Sequence, residues 1–226
     1  PVMGASGCIP GDREFLAALR AACTKHGVVL IFDEVMTSRL AFGGRQETLG
    51  IAPDLTTLGK YLGGGFTFGA FGGRRDLMER YDPRRPDHVA HAGTFNNAVC
   101  TMAAGLAGLR DVLSEAASRR LNDNGDRLRA RLAAIAAKRG LPVQVTGAGS
   151  MLNIHFRAPP VRNAGDAAAG SAPLKKLLHL EMLLKGIYLS RRGMIALALP
   201  HDETDFAALA RAFEDFLEAQ GDVIAG

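Results

Sequence analysis

The five residues VVLIF (28–32) constrain the fold more than any other stretch. They form an unbroken apolar run rich in β-branched residues, which predicts a strand buried on both faces. Just before it the pattern is helical from Asp12: Phe15, Leu16, Leu19, Ala22 and Cys23 share one face. Asp12 stands where an N-cap belongs, and Gly27 where the helix should stop. Just after it come two acids, Asp33 and Glu34. Helix, glycine turn, buried strand and strand-end acids make the grammar of an α/β domain, where ligands gather beyond the carboxyl ends of the strands.

The next segments continue that grammar. A polar loop (37–54) closes at Pro53-Asp54, and a short strand, Leu55–Leu58, delivers Lys60. The stretch FTFGAFGG predicts another strand and RRDLMERY a short helix, while residues 81–97 read as an irregular loop from their prolines and polar residues. Two helices follow, over 98–115 and 116–139, the second ending at Gly140. Beyond Pro142 the character changes to a smaller α+β unit. VQVTGAGSMLNIHF predicts two strands around a glycine turn, and residues 157–173 a mobile surface loop. A helix (174–185), a strand pair (187–199) and a last helix (204–219) complete it. The expected division is 1–115 and 116–226.

Composition excludes several classes. The formal charge of +4 is spread along the chain rather than gathered in a basic block, which argues against a nucleic-acid partner. Three widely spaced cysteines in apolar context fit reduced thiols in a cytoplasmic protein. No metal site is expected, because histidines and cysteines lack paired ligand spacing. No apolar run reaches membrane-spanning length, so no membrane association is expected.

Lys60 is the residue that most needs a purpose. Of 27 basic residues only six are lysines, and this one follows an apolar run, precedes the Gly63–Gly65 triplet and has no acid near it in sequence. A phosphate-binding Walker lysine would need a glycine at position 54 and a Ser or Thr at 61, where Asp54 and Tyr61 stand. Two readings remain: a surface lysine after a strand, or a Schiff-base lysine whose amine is kept uncharged by burial so that it can attack an aldehyde. Asp33 favours the second. Pyridoxal phosphate (PLP) chemistry needs a carboxylate to hold the pyridine nitrogen protonated, and an apolar residue such as Val35 to press on the ring. A Schiff-base enzyme without PLP would have no use for Asp33 there.

The blocks LIFDEVMTSRLAFGG, LGIAPDLTTLGKYLGGGFTFGAFGGRRDLME and HAGTFNN together resemble the class III (ω-type) aminotransferases and their relative glutamate-1-semialdehyde 2,1-aminomutase. The resemblance covers essentially the whole chain. It implies a fold-type I PLP-dependent transferase. Residues 1–115 would be part of the cofactor-binding large domain, with its mostly parallel sheet, and 116–226 the small C-terminal α+β domain. It further implies Lys60 as the internal aldimine and as the general acid/base of the proton shift, Asp33 paired to the pyridinium, and Val35 against the ring. Thr94 would reach the cofactor phosphate of the partner subunit in a homodimer. The substrates implied are small-molecule amino acids and keto acids.

Two departures separate the chain from the aminomutase. Ser38-Arg39-Leu40 stands where that enzyme has Gly-Phe-Arg, and Phe95-Asn96-Asn97-Ala98 where it has Ser-Gly-Asn-Pro. FDEVMTSRL, HAGTFNN and YLSRRGMIALALP resemble the β-amino-acid (β-phenylalanine) aminotransferase branch more closely. In that branch a small-domain arginine contributes to carboxylate recognition, and Arg191 is the matching candidate. Arg192 is its open alternative: in an extended segment the two would point to opposite sides, so only one would face the cleft.

The opening PVMGASGCIPGDREFL reads as a loop entered part-way, as in a fragment; initiation at Met3 is the other reading. Complete members of the family run to roughly twice this length. On that basis the N-terminal half is absent, with its phosphate-cupping loop and ring-stacking aromatic. The non-enzyme expectation is a catalytically incomplete remnant.

Overall fold

In the computed structural model, which describes residues 1–226, the chain opens on a short antiparallel ladder. Strand β1 (Val2–Met3) pairs with β2 (Ile9–Pro10) and leads into helix α1 (Arg13–His26). The caps of α1 are those its sequence calls for. The Asp12 carboxylate accepts from the N–H of Phe15 at 2.8 Å, and Gly27 closes the helix at φ 64°. By spatial grouping, Val2–Gly11 joins Arg119–Gly226 in one unit, and Pro1 with Asp12–Ser118 forms the other. No helix is long and apolar enough to cross a membrane.

The Asp12–Ser118 unit is built on a three-stranded mixed sheet in the order β3 (Ile31–Asp33), β4 (Leu55–Gly59), β5 (Gly69–Gly73), with the short helix α2 (Gly44–Leu49) between the first two. β3 and β4 run parallel, and β4 and β5 antiparallel. Leu16 and Cys23 of α1 bury against Leu30, Phe32, Leu49 and Ile51. The expectation of a strand buried on both faces is corrected here. Only Ile31–Asp33 is strand, and Val28, Val29 and Ile31 are exposed while Leu30 and Phe32 are buried. The reason is that α1 and α2 cover one face of the sheet, and side chains alternate between faces. Phe15 and Leu19, on the expected apolar face of α1, are exposed as well, since of that face only Leu16 and Cys23 join the buried cluster.

Asp54 ties the unit together. Its carboxylate accepts from the N–H of Leu30 at 2.7 Å, from Arg20 at 2.7 Å and from Arg74 at 2.9 Å. These partners, the Leu30 amide first, hold its carboxyl well below the usual carboxylate range. On either side of α3 (Arg75–Met78), the rings of Phe71 in β5 and of Tyr81 and His91 beyond the helix meet edge to face, with centroids 5.2 to 5.9 Å apart. Helix α4 (Val99–Ala107) continues through a π-type turn (Gly108–Val112), not as one helix to 115. It breaks at Leu113, and Ser114 then caps the next helix by accepting from the N–H of Ala117. Glycine permits α4 to pack close. A Cβ on Gly105 would lie 2.5 Å from the Leu62 carbonyl oxygen, and one on Gly64, at φ 61°, would collide with the backbone of Ala104.

Helix α5 (Glu115–Lys138) leads into the second unit, an antiparallel sheet of β6 (Val143–Ala148), β7 (Met151–Phe156) and β8 (Met194–Ala196). Against it lie α7 (Ala172–Leu184) and α8 (Glu203–Ala219), with α9 (Gly221–Ala225) at the end. β7 is buried throughout, and Leu132, Ile154, Leu178, Met182, Phe213 and Phe216 centre the core. A reciprocal Asp202–Asp205 capping box starts α8.

Two expectations differ here. The expected mobile loop at 157–173 holds a short helix, α6 (Ala164–Ala168), capped by Asn163 and tied down by Arg157, which donates to the Asp166 carbonyl. Of the strand pair expected at 187–199, only β8 forms. The Gly193 N–H donates to Ser190 C=O at 2.8 Å, so Ser190–Gly193 is a tight turn.

Candidate active site

The chemistry-bearing residues of the first unit meet where two parallel strands end. Asp33 is the last residue of β3 and pairs in register with Thr57 of β4, three positions before Lys60. Both hydrogen bonds to the Asp33 side chain go to Oδ1: Thr57 Oγ1 donates at 3.2 Å and the Val35 N–H at 3.0 Å. Oδ2 is left to accept from something else. The neighbouring acid does different work. Glu34 is fully buried and accepts from Thr37 Oγ1 at 2.8 Å and from the N–H groups of Arg45 and Gln46 at 2.7 and 2.8 Å. It thus caps α2 with negative charge at the positive end of the helix. Adjacent residues point to opposite sides of a strand, and here that separates the open carboxylate from the structural one.

Lys60 begins a 3₁₀ turn (Lys60–Gly63) directly after β4 and has φ 56°, in the left-handed region that non-glycine residues rarely occupy. Such strain, where it is kept, is a mark of functional positions. Its side chain is exposed, which corrects the expectation of a buried lysine. The physical reason lies in the turn and the glycines after it: they swing the residue off the end of the sheet, and Gly64–Gly65 bring no side chains to cover it. Val35 is half-buried just past the end of β3 and packs at Gly59, where a Cβ would stand 3.4 Å from its Cγ1. Gly59 thereby lets Val35 sit beside the lysine.

Thr94 lies in an exposed turn with Asn97 at φ 61°, and makes no hydrogen bond within the chain. Arg191 and Arg192, in the second unit, are the central residues of the Ser190–Gly193 turn, so they do not project to opposite sides as an extended segment would require. Both line one pocket of about 560 Å³ together with Lys175 and Lys176. Sequence reading missed two features. One is Thr57 as the tether of Asp33; the alternation in LTTLG carried that signal once the parallel register was assumed. The other is Lys175, whose sequence context is an ordinary amphipathic helix.

The family description "Aminotransferase class-III" matches residues 1–208. The chain belongs to the class III aminotransferase family. Among its relatives is the beta-phenylalanine transaminase of Variovorax paradoxus, 50% identical over 221 residues, which are 98% of this chain and 51% of that protein. The crystal structure of the Variovorax paradoxus beta-phenylalanine aminotransferase superposes with a TM-score of 0.96 at 49% identity, over 99% of this chain and 52% of the other. A glutamate-1-semialdehyde 2,1-aminomutase of Opitutus terrae is 44% identical over 95% of this chain and 50% of its own length. A transaminase solved with PLP bound matches at 31% identity and a TM-score of 0.84, over 96% of this chain and 49% of the other.

The chain thus spans about half the length of the relatives it matches. Class III aminotransferases depend on PLP, and their fold is that of the fold-type I transferases, of which this chain is a mixed α/β part. The residues at the β3–β4 end suit that cofactor. A tethered carboxylate with one open oxygen fits a pyridinium N–H, a primary amine just past the end of the adjacent strand fits an aldehyde, and the aliphatic Val35 packs at Gly59, next to the lysine in the chain.

Proposed function

We propose that this chain is the lysine-bearing part of a PLP-dependent aminotransferase that moves an amino group between a β-amino acid and a keto acid. The observation that carries the proposal is the Asp33–Lys60 arrangement: a carboxylate fixed by Thr57 and an amine three residues beyond Thr57, at the ends of paired parallel strands. The β-amino-acid assignment is supported by 50% identity to a beta-phenylalanine transaminase.

When bound, PLP supplies an aldehyde that exchanges between amines and a protonated ring that takes up electron density from the substrate. Asp33 Oδ2 would accept the ring N–H, and the negative charge of the carboxylate would keep that proton in place. Val35 presses on the ring and orients it. Lys60 Nζ is the amine offered to the aldehyde. The same Nζ would also be the group that takes up and returns the proton at the substrate carbon bearing the amino group. Arg191 pairs through two parallel hydrogen bonds with the substrate carboxylate. In a homodimer Thr94 would reach the cofactor phosphate of the second subunit, and the proposed working protein is such a homodimer, located in the cytoplasm. Residues 1–115 belong to the large domain and 116–226 to the small one. Amino-group migration within one molecule is the second reading, supported by the 44% identity to an aminomutase.

The test is to mix the chain with PLP, reduce with borohydride, digest, and locate the label by mass spectrometry. Label on the Lys60 peptide of the unmutated chain, and none with Lys60→Ala, supports the assignment. Label spread over the other lysines, unchanged by Lys60→Ala, refutes it.

A further inference from the structure

The segment that carries Thr94 is held at two points with a gap between them. The Val89 N–H donates to the Arg80 carbonyl at 2.7 Å and closes a surface loop. The Asn96 N–H donates to the Gly93 carbonyl at 3.0 Å and shapes the turn in which Thr94 stands. Between these closures Ala90, His91 and Ala92 make no hydrogen bond. Of the three, only His91 has a side chain large enough to anchor the backbone.

Its ring has two neighbours. The imidazole meets Phe71 at a centroid distance of 5.6 Å and Tyr81 at 5.9 Å, nearly perpendicular to both at 84° and 83°. Phe71 and Tyr81 meet each other at 5.2 Å. Edge-to-face contact at these distances is the attractive arrangement of aromatic quadrupoles. Both partners belong to regular structure: Phe71 lies in the middle of β5, and Tyr81 ends a 3₁₀ turn (Glu79–Tyr81) after α3. In the same loop His88 uses a nitrogen, with Nδ1 2.8 Å from the Arg85 carbonyl, whereas His91 uses the ring itself.

The place of Phe71 in the sheet connects this contact to the site. Phe71 stands in register with Thr57, and Thr57 with Asp33. Cross-strand partners project to the same face, and the Thr57–Asp33 hydrogen bond marks which face that is. The row Asp33–Thr57–Phe71 therefore crosses all three strands on the face opposite Phe32 and α1. The loop is clasped to the same row that aims the open carboxylate. From that clasp Thr94 is three residues away, a reach of about 11 Å at most.

We infer that His91 is a positioning residue: its ring, seated on Phe71 and Tyr81, fixes where the Gly93–Asn96 turn presents Thr94. This rests on the proposed role of Thr94 at the cofactor phosphate and deepens it by naming what holds that threonine in place.

The first test is hydrogen exchange of the cofactor-free chain, read at the Asn96 N–H and at the Ala98 N–H, which donates to the Phe95 carbonyl. His91→Ala should speed exchange at both by about 10-fold, for the loss of two ring contacts. His91→Phe should restore the rate to within about twofold, because it returns a ring, and His91→Gln should not. Unchanged exchange in His91→Ala overturns the inference. Rescue by Gln and not by Phe also overturns it, in favour of a histidine kept for its hydrogen bonds.

The second test is absorbance titration with PLP, which separates positioning from general loosening. Thr94→Val should weaken PLP about 10-fold or more, the loss of a hydrogen bond to a charged group, and His91→Ala should weaken it by less. The double variant should bind no more weakly than Thr94→Val alone, because a residue that acts through another adds nothing once that other is gone. Additive losses overturn the inference and leave the Thr94 reading standing, as does a His91→Ala chain with unchanged affinity beside a weakened Thr94→Val. Unchanged affinity in Thr94→Val overturns both. The exchange measurement needs no cofactor, and the borohydride label on Lys60 reports on the cofactor independently of both residues.

Discussion

Asp33 Oδ1 accepts a 3.2 Å hydrogen bond from Thr57 Oγ1 across the parallel β3–β4 pair, so the carboxylate is aimed by the strand that carries Lys60. Aim of this kind is what a cofactor partner requires, because a carboxylate free to rotate would lose entropy on pairing with the ring. Thr57→Val removes the tether and keeps the shape. PLP affinity, read by absorbance titration, should fall about 3- to 10-fold, the worth of one neutral hydrogen bond. Asp33→Asn removes the charge itself and should cost about 10- to 100-fold. Unchanged affinity in Thr57→Val would show that the tether is dispensable.

Lys60 stands at φ 56°, where glycine is at ease and a residue with a Cβ is strained. Lys60→Gly should therefore be more stable than Lys60→Ala by about 1 kcal/mol, the reverse of the usual order. Neither variant should take up the borohydride label. Urea unfolding of the two compares their stability, and Lys60→Ala as the more stable would mean the turn relaxes when the lysine is lost.

The glycines around α4 differ in what surrounds them. Gly64→Ala and Gly105→Ala each drive a methyl group into backbone, of Ala104 and Leu62 respectively, and should destabilise by about 2 kcal/mol or more. Gly108→Ala meets nothing within 4 Å at a helical φ of −59°, and should stabilise by about 0.5 to 1 kcal/mol. Denaturation midpoints of the three variants test the contrast. A Gly64→Ala chain as stable as the unmutated one would mean that α4 can move away at no cost.

His155 and Asp54 set two pH windows. For His155 the folded pKa, about 4, lies below the ordinary 6.5, so between these values the unfolded chain binds a proton that the folded one refuses. Stability should fall as pH drops from about 6.5 to about 4, and His155→Gln should flatten that slope. Asp54 acts in the same sense, at lower pH. Its folded pKa is depressed, so its contribution is complete above the ordinary carboxylate range and is lost as pH falls through and below it. The stability gap between the unmutated chain and Asp54→Asn should hold at pH 6 and narrow progressively as pH falls below about 4. Chemical denaturation across pH measures both.

What the sequence determined by itself is local. Asp12 and Gly27 cap α1 because their partners lie within one turn of helix, and the run ending in Asp33 reads as a strand end from adjacent residues alone. Lys60 was legible from what surrounds it in the chain: an apolar strand before, glycines after and no acid nearby. Tertiary structure decided what depends on residues far apart in sequence. The Asp33–Thr57 tether spans 24 positions, and the Lys175–His155 contact 20. The backing of His155 by Gly7 spans 148. No periodicity carries such pairings, because they follow from register and packing. The one-sided burial of β3 was out of reach for the same reason, since an apolar run records what a strand can bury and only the packing records which face is covered. The arginine pair shows the limit most plainly: Arg191 and Arg192 share one pocket because the Gly193 N–H closes a turn on Ser190, and no alternation rule for an extended chain could have placed them together.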